Sequence, residues 1–70
     1  MTVIARWESR SGKHWVELAT DGAAYRYRAP DAGGYLAEAT KAEAMAEMNR
    51  RVAAGYFQPD ANKTPMKQVA

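Results

Sequence analysis

Alternating apolar and polar residues run through the first part of the chain. Val3, Ala5 and Trp7 occupy every second position, and two later segments repeat the pattern. A period of two with β-branched and aromatic residues is typical of half-buried strands. Ser11-Gly12 and Asp21-Gly22 are turn-forming pairs, so consecutive strands are expected to form hairpins. The sequence predicts an antiparallel three-stranded meander with strands at about 2–10, 13–20 and 23–29.

Two-residue loops at both turns place the large apolar side chains of these strands on one face. That face comprises Val3, Ala5, Trp7, Val16, Leu18, Tyr25 and Tyr27. The predicted neighbours are Trp7 with Val16, Ala5 with Leu18, Leu18 with Tyr25, and Val16 with Tyr27. A three-residue first loop would turn Glu17 toward the core, at a large desolvation cost. A four-residue loop preserves the faces, so the face assignment does not depend on a tight turn.

The opposite face of this sheet carries charged residues around one tryptophan. The same register places Arg6, Glu17 and Arg26 in one cross-strand row and Glu8, Trp15 and Arg28 in the next. Opposite charges adjoin, and Arg28 can stack on Trp15, contacts of roughly 0.2–1 kcal/mol each. A solvated antiparallel face is ordinarily polar. An exposed Trp15 therefore makes this face the candidate binding surface.

A capping signal predicts one helix in the second half of the chain. Thr40 suits the N-cap and Glu43 the third position of a capping box. Gly55 is typical just beyond a helix end, so the helix is predicted at about 41–54. Its apolar stripe comprises Met45, Met48 and Val52, and Glu47 and Arg51 can pair one turn apart. The connection from the sheet is a predicted loop at 30–34 and an ambiguous segment, strand or helix lead-in, at 35–39.

A sheet and a helix with one apolar side each should cover one another in an α+β domain. We expect residues 1–57 to form this single domain, with Tyr56 and Phe57 folding back over the end of the layer. Residues 58–70 contain two prolines and several polar turn formers. They are predicted to form an extended or mobile C-terminal tail.

Composition limits the size of the core and indicates the cellular compartment. The chain has 70 residues, no cysteine and only eight Leu, Ile, Val and Phe residues, but it has two Trp, four Tyr and four Met. A thin core rich in aromatic residues favours self-association or a permanent partner. The net charge of +2 permits nucleic-acid binding without requiring it. No apolar run approaches the roughly 20 residues that span a membrane, and the expected compartment is the cytoplasm.

Candidate catalytic groups are few. His14 lies opposite Ser9 in the predicted register, but no acidic residue is placed to orient the imidazole. Gly33-Gly34 is too short for a phosphate loop, and capping with a solvated helix face explains Glu43 and Glu47. One histidine without cysteine disfavours a metal site, and a thin domain has little room for a pocket of about 300 Å³. We therefore expect no catalytic residue, cofactor or metal.

The sequence favours a non-enzymatic protein-binding module. Trp, Tyr and Arg are enriched in binding hot spots, and interspersed glutamates suit a protein surface, where charge complementarity sets specificity. Small chains of this type are common among phage and mobile-element inhibitors of host machinery, the broad class of the anti-CRISPR proteins, so a larger host protein or complex is the expected partner. The predicted partner-binding residues are Arg6, Glu8, Trp15, Glu17, Arg26 and Arg28. A homodimer through this face, or its coverage by the C-terminal tail, is the rival interpretation.

The predicted order of elements is similar in layout to AP2-type and integrase arm-type domains. The residue types that match are Arg6, Trp15, Arg26 and Arg28, within residues 3–54. The resemblance implies DNA binding, with Arg and Trp on the open sheet face reading the major groove. The acidic residues Glu8 and Glu17 on the same face oppose this alternative.

Overall fold

A computed structural model describes residues 1–57 and 66–70 of the chain. Its elements are β1 (Thr2–Glu8), β2 (Trp15–Thr20), β3 (Tyr25–Ala29), β4 (Ala32–Tyr35), α1 (Lys41–Ala53) and β5 (Lys67–Gln68). The strands form one antiparallel sheet in the order β4-β3-β2-β1-β5. The predicted α+β class, with an antiparallel sheet and one helix, is confirmed. The prediction of three strands is wrong, because β4 and β5 extend the meander at its two edges.

The core lies between α1 and one face of the sheet. Its buried members are Ala5, Trp7, Val16, Leu18, Leu36, Ala44, Met48, Val52 and Met66. Ile4, Tyr25, Tyr27, Ala29, Met45 and Phe57 are partly buried against them. Trp7 has the largest fully buried side chain, and its indole Nε1 donates a hydrogen bond to Asn49 Oδ1 at 3.1 Å. This bond satisfies the one polar atom of a buried ring and ties β1 to α1.

The first hairpin has the predicted register but a longer loop. Trp7 pairs with Val16 and Ala5 pairs with Leu18, as expected. The strands end at Glu8 and begin again at Trp15. The Ser9 N–H still donates to the His14 carbonyl at 2.8 Å, but the return bond of the ladder is replaced, because the His14 N–H donates to the Ser9 hydroxyl at 3.1 Å and the Ser9 carbonyl accepts the Gly12 N–H at 2.9 Å. That side-chain bond competes with a continued ladder. The face assignment survives, because the loop keeps the same pairing.

A β-bulge corrects the predicted position of Val3. The register of β1 against β2 shifts between Val3 and Ala5, and one extra residue on one strand exchanges the faces beyond it. Val3 therefore pairs with Ala19 on the charged side of the sheet and is 49% exposed. Ile4, predicted to face outward, packs against the core instead.

The second hairpin is longer than the predicted two-residue turn. Oδ1 of Asp21 accepts the backbone N–H groups of Ala23 and Ala24, both at 2.9 Å. This Asx-type arrangement closes a loop at 21–24 in place of a tight Asp-Gly turn. The observed pairs are Leu18 with Tyr27, Ala19 with Arg26, Thr20 with Tyr25, and Glu17 with Arg28. The predicted partners of Leu18 and Val16 are thus wrong by two residues, a shift that leaves every face unchanged.

Strand β4 occupies most of the predicted loop at 30–34. Ala29 pairs with Ala32, so only Pro30 and Asp31 remain in the turn. A Cβ on Gly33 would lie 3.3 Å from the backbone oxygen of Tyr27, and the Tyr27 ring lies against Gly34. Glycine thus allows the close approach of backbone that this edge requires. The ambiguous segment resolves as the strand end at Tyr35, followed by the buried Leu36.

The described end of the predicted tail belongs to the sheet. Met66 is 6% exposed within the core, and β5 pairs with β1. The Val69 N–H donates to the Arg6 carbonyl at 2.8 Å, and the Arg6 N–H donates to the Ala70 carbonyl at 3.1 Å. The rest of the predicted tail, 58–65, lies outside the described residues.

The helix is close to its prediction. Thr40 is the N-cap, its hydroxyl oxygen accepting the Glu43 N–H, and Gly55 follows with a φ of 84°. Glu47 pairs with Arg51 at 2.6 Å as expected, and also with Arg50 at 2.7 Å. After the helix Phe57 packs against the core, 5.5 Å from the Tyr27 ring. Tyr56, expected beside it, is 63% exposed.

Candidate functional site

The sheet face opposite α1, here called the open face, carries three cross-strand rows. Pairing of the strands defines each row, because directly opposed residues share a face. The Val3 row is Val3, Ala19, Arg26 and Tyr35; the Glu17 row is Arg6, Glu17, Arg28 and Gly33; the Trp15 row is Lys67, Glu8 and Trp15. Every predicted partner-binding residue lies in these rows. The rows differ from the predicted ones, because the second hairpin moves Arg28 opposite Glu17 and Arg26 opposite Ala19.

Glu17 is the centre of an ion-pair network on the open face. Its Oε2 accepts from Arg6 at 2.8 Å and its Oε1 accepts from Arg28 at 2.9 Å. Arg6 also donates to Glu8 at 2.7 Å. Hydrogen bonding to Glu8, supported by Glu17 and opposed by desolvation, raises the pKa of Arg6 above its ordinary value. Two carboxylates and two guanidinium groups thus neutralise one another on this part of the surface.

The Trp15 ring packs under two of these guanidinium groups. Arg6 Cζ lies 4.7 Å from the ring centroid and Arg28 Cζ lies 5.7 Å from it. The predicted stacking of Arg28 on Trp15 is confirmed, but Trp15 is half-buried rather than exposed. The network therefore holds an aromatic ring in a fixed position at the surface. A fixed aromatic group loses little conformational entropy when a partner covers it.

The end of the open face beyond Glu17 is apolar, a feature that the sequence interpretation missed. Tyr35 is 67% exposed, and Val3 and Met1 are also exposed. The Arg26 guanidinium lies 5.3 Å from the Tyr35 ring centroid. Among residues 1–57 and 66–70, Arg26 makes no salt bridge. The bulge places Val3 on this face, and no simple alternation pattern signals a bulge; Tyr35 lies there because β4 pairs with β3.

A surface depression of about 330 Å³ lies between the Val3 row and the Glu17 row. Its lining includes Met1, Val3, Glu17, Ala19, Arg26 and Arg28. The short side chain of Ala19 lies between the longer Val3 and Arg26 in the cross-strand row. A small residue flanked by larger ones leaves a hollow on an otherwise flat sheet. The open face therefore combines a hollow, a fixed aromatic ring and a neutralised ion network.

A second depression, of about 470 Å³, lies at the end of the domain near the first hairpin loop. His14, Asp31 and Tyr56 are among its lining residues. Both depressions exceed the room expected for so thin a domain. His14 does stand opposite Ser9, but the Ser9 hydroxyl accepts the backbone N–H of His14 rather than meeting its imidazole. This geometry does not form a nucleophile and base pair of the kind that acyl transfer requires.

Within the described part of the chain, no group of three or more His, Cys, Asp or Glu residues could hold a metal ion. The helix of the described residues, α1, is not long and apolar enough to cross a membrane. Glu43 and Glu47, the other acidic candidates, bond to Thr40 and to two arginines of the helix.

Comparison of the chain with protein-family models, curated proteins and solved structures finds no match. The residues of the open face are therefore the basis on which a function is proposed.

Proposed function

We propose that the protein is a non-enzymatic binding module that docks on a larger protein through its open face. One observation carries the proposal: Trp15 is held at the surface beneath Arg6 and Arg28, whose charges are matched by Glu8 and Glu17. These side chains point away from the core that holds the fold together. A half-buried tryptophan ringed by arginines has the composition of a binding hot spot.

The charge arrangement favours a protein partner over DNA. Binding to a duplex depends on many cations that neutralise phosphates. On the open face, Glu17 engages both Arg6 and Arg28, so these guanidinium groups are compensated within the protein. The exposed apolar side chains of Val3 and Tyr35 add surface that a protein partner can bury.

DNA binding remains the second candidate function, supported by one observation. Arg28 has 71% of its side chain exposed, and Arg26 extends the same strand on the same face. Two arginines two residues apart on β3, the strand next to the edge strand β4, could contact successive phosphates or base edges.

Capture from a lysate of the cells in which the protein occurs tests the proposal. The tagged wild-type protein is compared with the double variant Trp15→Ala/Arg28→Ala, with and without nuclease. The matched control is Arg50→Ala/Tyr56→Ala, which removes another arginine stacked on an aromatic ring, at 5.9 Å, from the end of the helix.

We expect a protein partner that survives nuclease, is lost with the open-face variant and is retained by the control. Hot-spot truncations of about 2 kcal/mol or more weaken binding by about 30-fold or more. Nucleic acid captured alone would establish the second candidate instead. Equal capture by both double variants would show that binding does not involve the open face.

A further inference from the structure

The surface depression over Ala19 is here called the notch. We infer that the notch binds an apolar side chain of the partner protein, and that the residue next to it in the partner's sequence is an aspartate or a glutamate. The inference rests on the proposed function and names the chemistry that the partner must present. The notch is lined by Met1, Val3, Glu17, Ala19, Arg26, Tyr27 and Arg28, and the ring of Tyr27 packs on the core side of the sheet.

The floor and one side of the notch are aliphatic. Ala19 forms the low point, with Val3 beside it on β1 and Met1 at the rim. Val3 is 49% exposed and Met1 is 59% exposed. A volume of about 330 Å³ is at the small end of ligand pockets, which run from about 300 to 1,000 Å³. It suits one or two inserted side chains.

The accessible charge around the notch is positive. The carboxylate of Glu17 is largely covered, and both of its oxygens are already engaged by arginines. Arg26 is exposed and forms no salt bridge within residues 1–57 and 66–70. The group that complements the notch is therefore an anion held next to an apolar group.

An acidic residue beside an apolar one on a protein satisfies both halves of this surface. Nucleic acid supplies the anion, but its flat bases stack on aromatic rings, and the exposed ring in the Val3 row, Tyr35, lies beyond Arg26 and outside the lining of the notch. A second copy of the chain would have to insert an acidic side chain that its own fold does not already engage, since Glu8 and Glu17 are paired with Arg6 and Glu47 is paired with Arg50 and Arg51. Charge and shape together favour a different protein, and self-association of the wild-type protein would contradict this choice.

Selection from a random peptide library displayed on yeast tests the inference on the full chain. Wild-type protein is compared with Ala19→Leu, which fills the hollow without a change of charge, and with Arg26→Glu, which reverses the charge at its rim. Lys41→Glu, an exposed charge reversal on the helix, is the matched control. Circular dichroism checks that each variant is folded.

We expect peptides selected by the wild type to share an apolar residue next to Asp or Glu. Ala19→Leu and Arg26→Glu should each raise the Kd for these peptides by about tenfold, which corresponds to about 1.4 kcal/mol of binding free energy. Lys41→Glu should leave the Kd unchanged. Arg26→Glu should in turn select Lys or Arg in place of the acidic residue. Failure to select any peptide, selected peptides without an acidic residue, or displacement of the peptides by a single-stranded oligonucleotide would each overturn the inference.

The inference and the proposed function fail separately. In one outcome, a cellular partner is lost with Trp15→Ala/Arg28→Ala but retained by Ala19→Leu and Arg26→Glu. This result would support binding through the open face and contradict the role of the notch. Acidic peptides that depend on Ala19 and Arg26, without any cellular protein that depends on Trp15 and Arg28, would support the notch and contradict the proposed function.

Discussion

Replacement of Met66 by alanine should destabilise the domain strongly, although Met66 lies in the segment that the sequence predicts as a tail. Its side chain is 6% exposed in the core. Truncation of a buried methionine to alanine costs about 2–5 kcal/mol, because apolar contacts are lost and a cavity remains. A domain of this size has a total stability of only about 5 kcal/mol. The variant should therefore retain about 3 kcal/mol of stability or less.

Urea denaturation followed by tryptophan fluorescence and far-ultraviolet circular dichroism measures this change. At roughly 4–8 °C for each kcal/mol in a domain of this length, the melting temperature measured by thermal denaturation should fall by about 8 °C or more. Val69→Ala, an exposed substitution in the same segment, should stay within about 0.5 kcal/mol of the wild type. Equal stabilities for Met66→Ala and Val69→Ala would refute the placement of Met66 in the core.

Three further predictions concern hydrogen bonds that organise the fold. Thr40→Ala removes the helix N-cap and should lower the free energy of unfolding by about 1 kcal/mol, measured by urea denaturation with Thr40→Ser as the control. Asp21→Ala removes two bonds of the second hairpin and should lower it by about 1–2 kcal/mol, whereas Asp21→Asn should restore most of the loss. Hydrogen bonds from Arg50 and, to a smaller extent, from Arg51 lower the pKa of Glu47 from 4.5 to about 2. The wild type should therefore be more stable than Glu47→Gln above pH 4.5. It should lose that advantage as the pH falls from 4.5 to about 2 and the carboxylate is protonated. The measurement is the melting temperature of the wild type and of Glu47→Gln at several pH values. A difference between the two proteins that does not change with pH would contradict the pairing of Glu47.

Local signals in the sequence predict those elements whose structure depends on near neighbours. The helix follows from Thr40, Glu43 and Gly55, which act within a few residues of its ends. The first hairpin register follows from burial, because a one-residue slip would bury Glu17. Both features depend on energies that can be read from the sequence: the capping of the helix ends and the desolvation cost of burying Glu17.

The missed elements depend on contacts between distant residues. Gly33 and Gly34 have the composition of a loop, and they become strand because the Tyr27 side chain and backbone lie against them. Met66 enters the core from a segment with no periodicity of its own. The bulge beside Val3 similarly depends on the pairing of β1 with β2, and alternation predicts the opposite face for that residue.

The sequence predicts that the proposed partner-binding residues share one sheet face, but not how they pair across it. Face parity places Arg6, Glu17 and Arg28 on the open face for any loop with an even number of residues. Loop length then decides which of them meet, and the side chain of Asp21 sets that length. The apolar end of the face, including Val3, required the structure.

The measurement that tests the central claim most directly is capture of partners from a nuclease-treated lysate. It compares the open-face variant Trp15→Ala/Arg28→Ala with the control variant Arg50→Ala/Tyr56→Ala, and circular dichroism checks the fold of both. The account predicts two folded proteins, of which only the open-face variant has lost the cellular protein partner. An unfolded Trp15→Ala/Arg28→Ala variant, with the control folded, would show that these side chains hold the fold together. A folded open-face variant that still captures the partner would place the binding surface elsewhere.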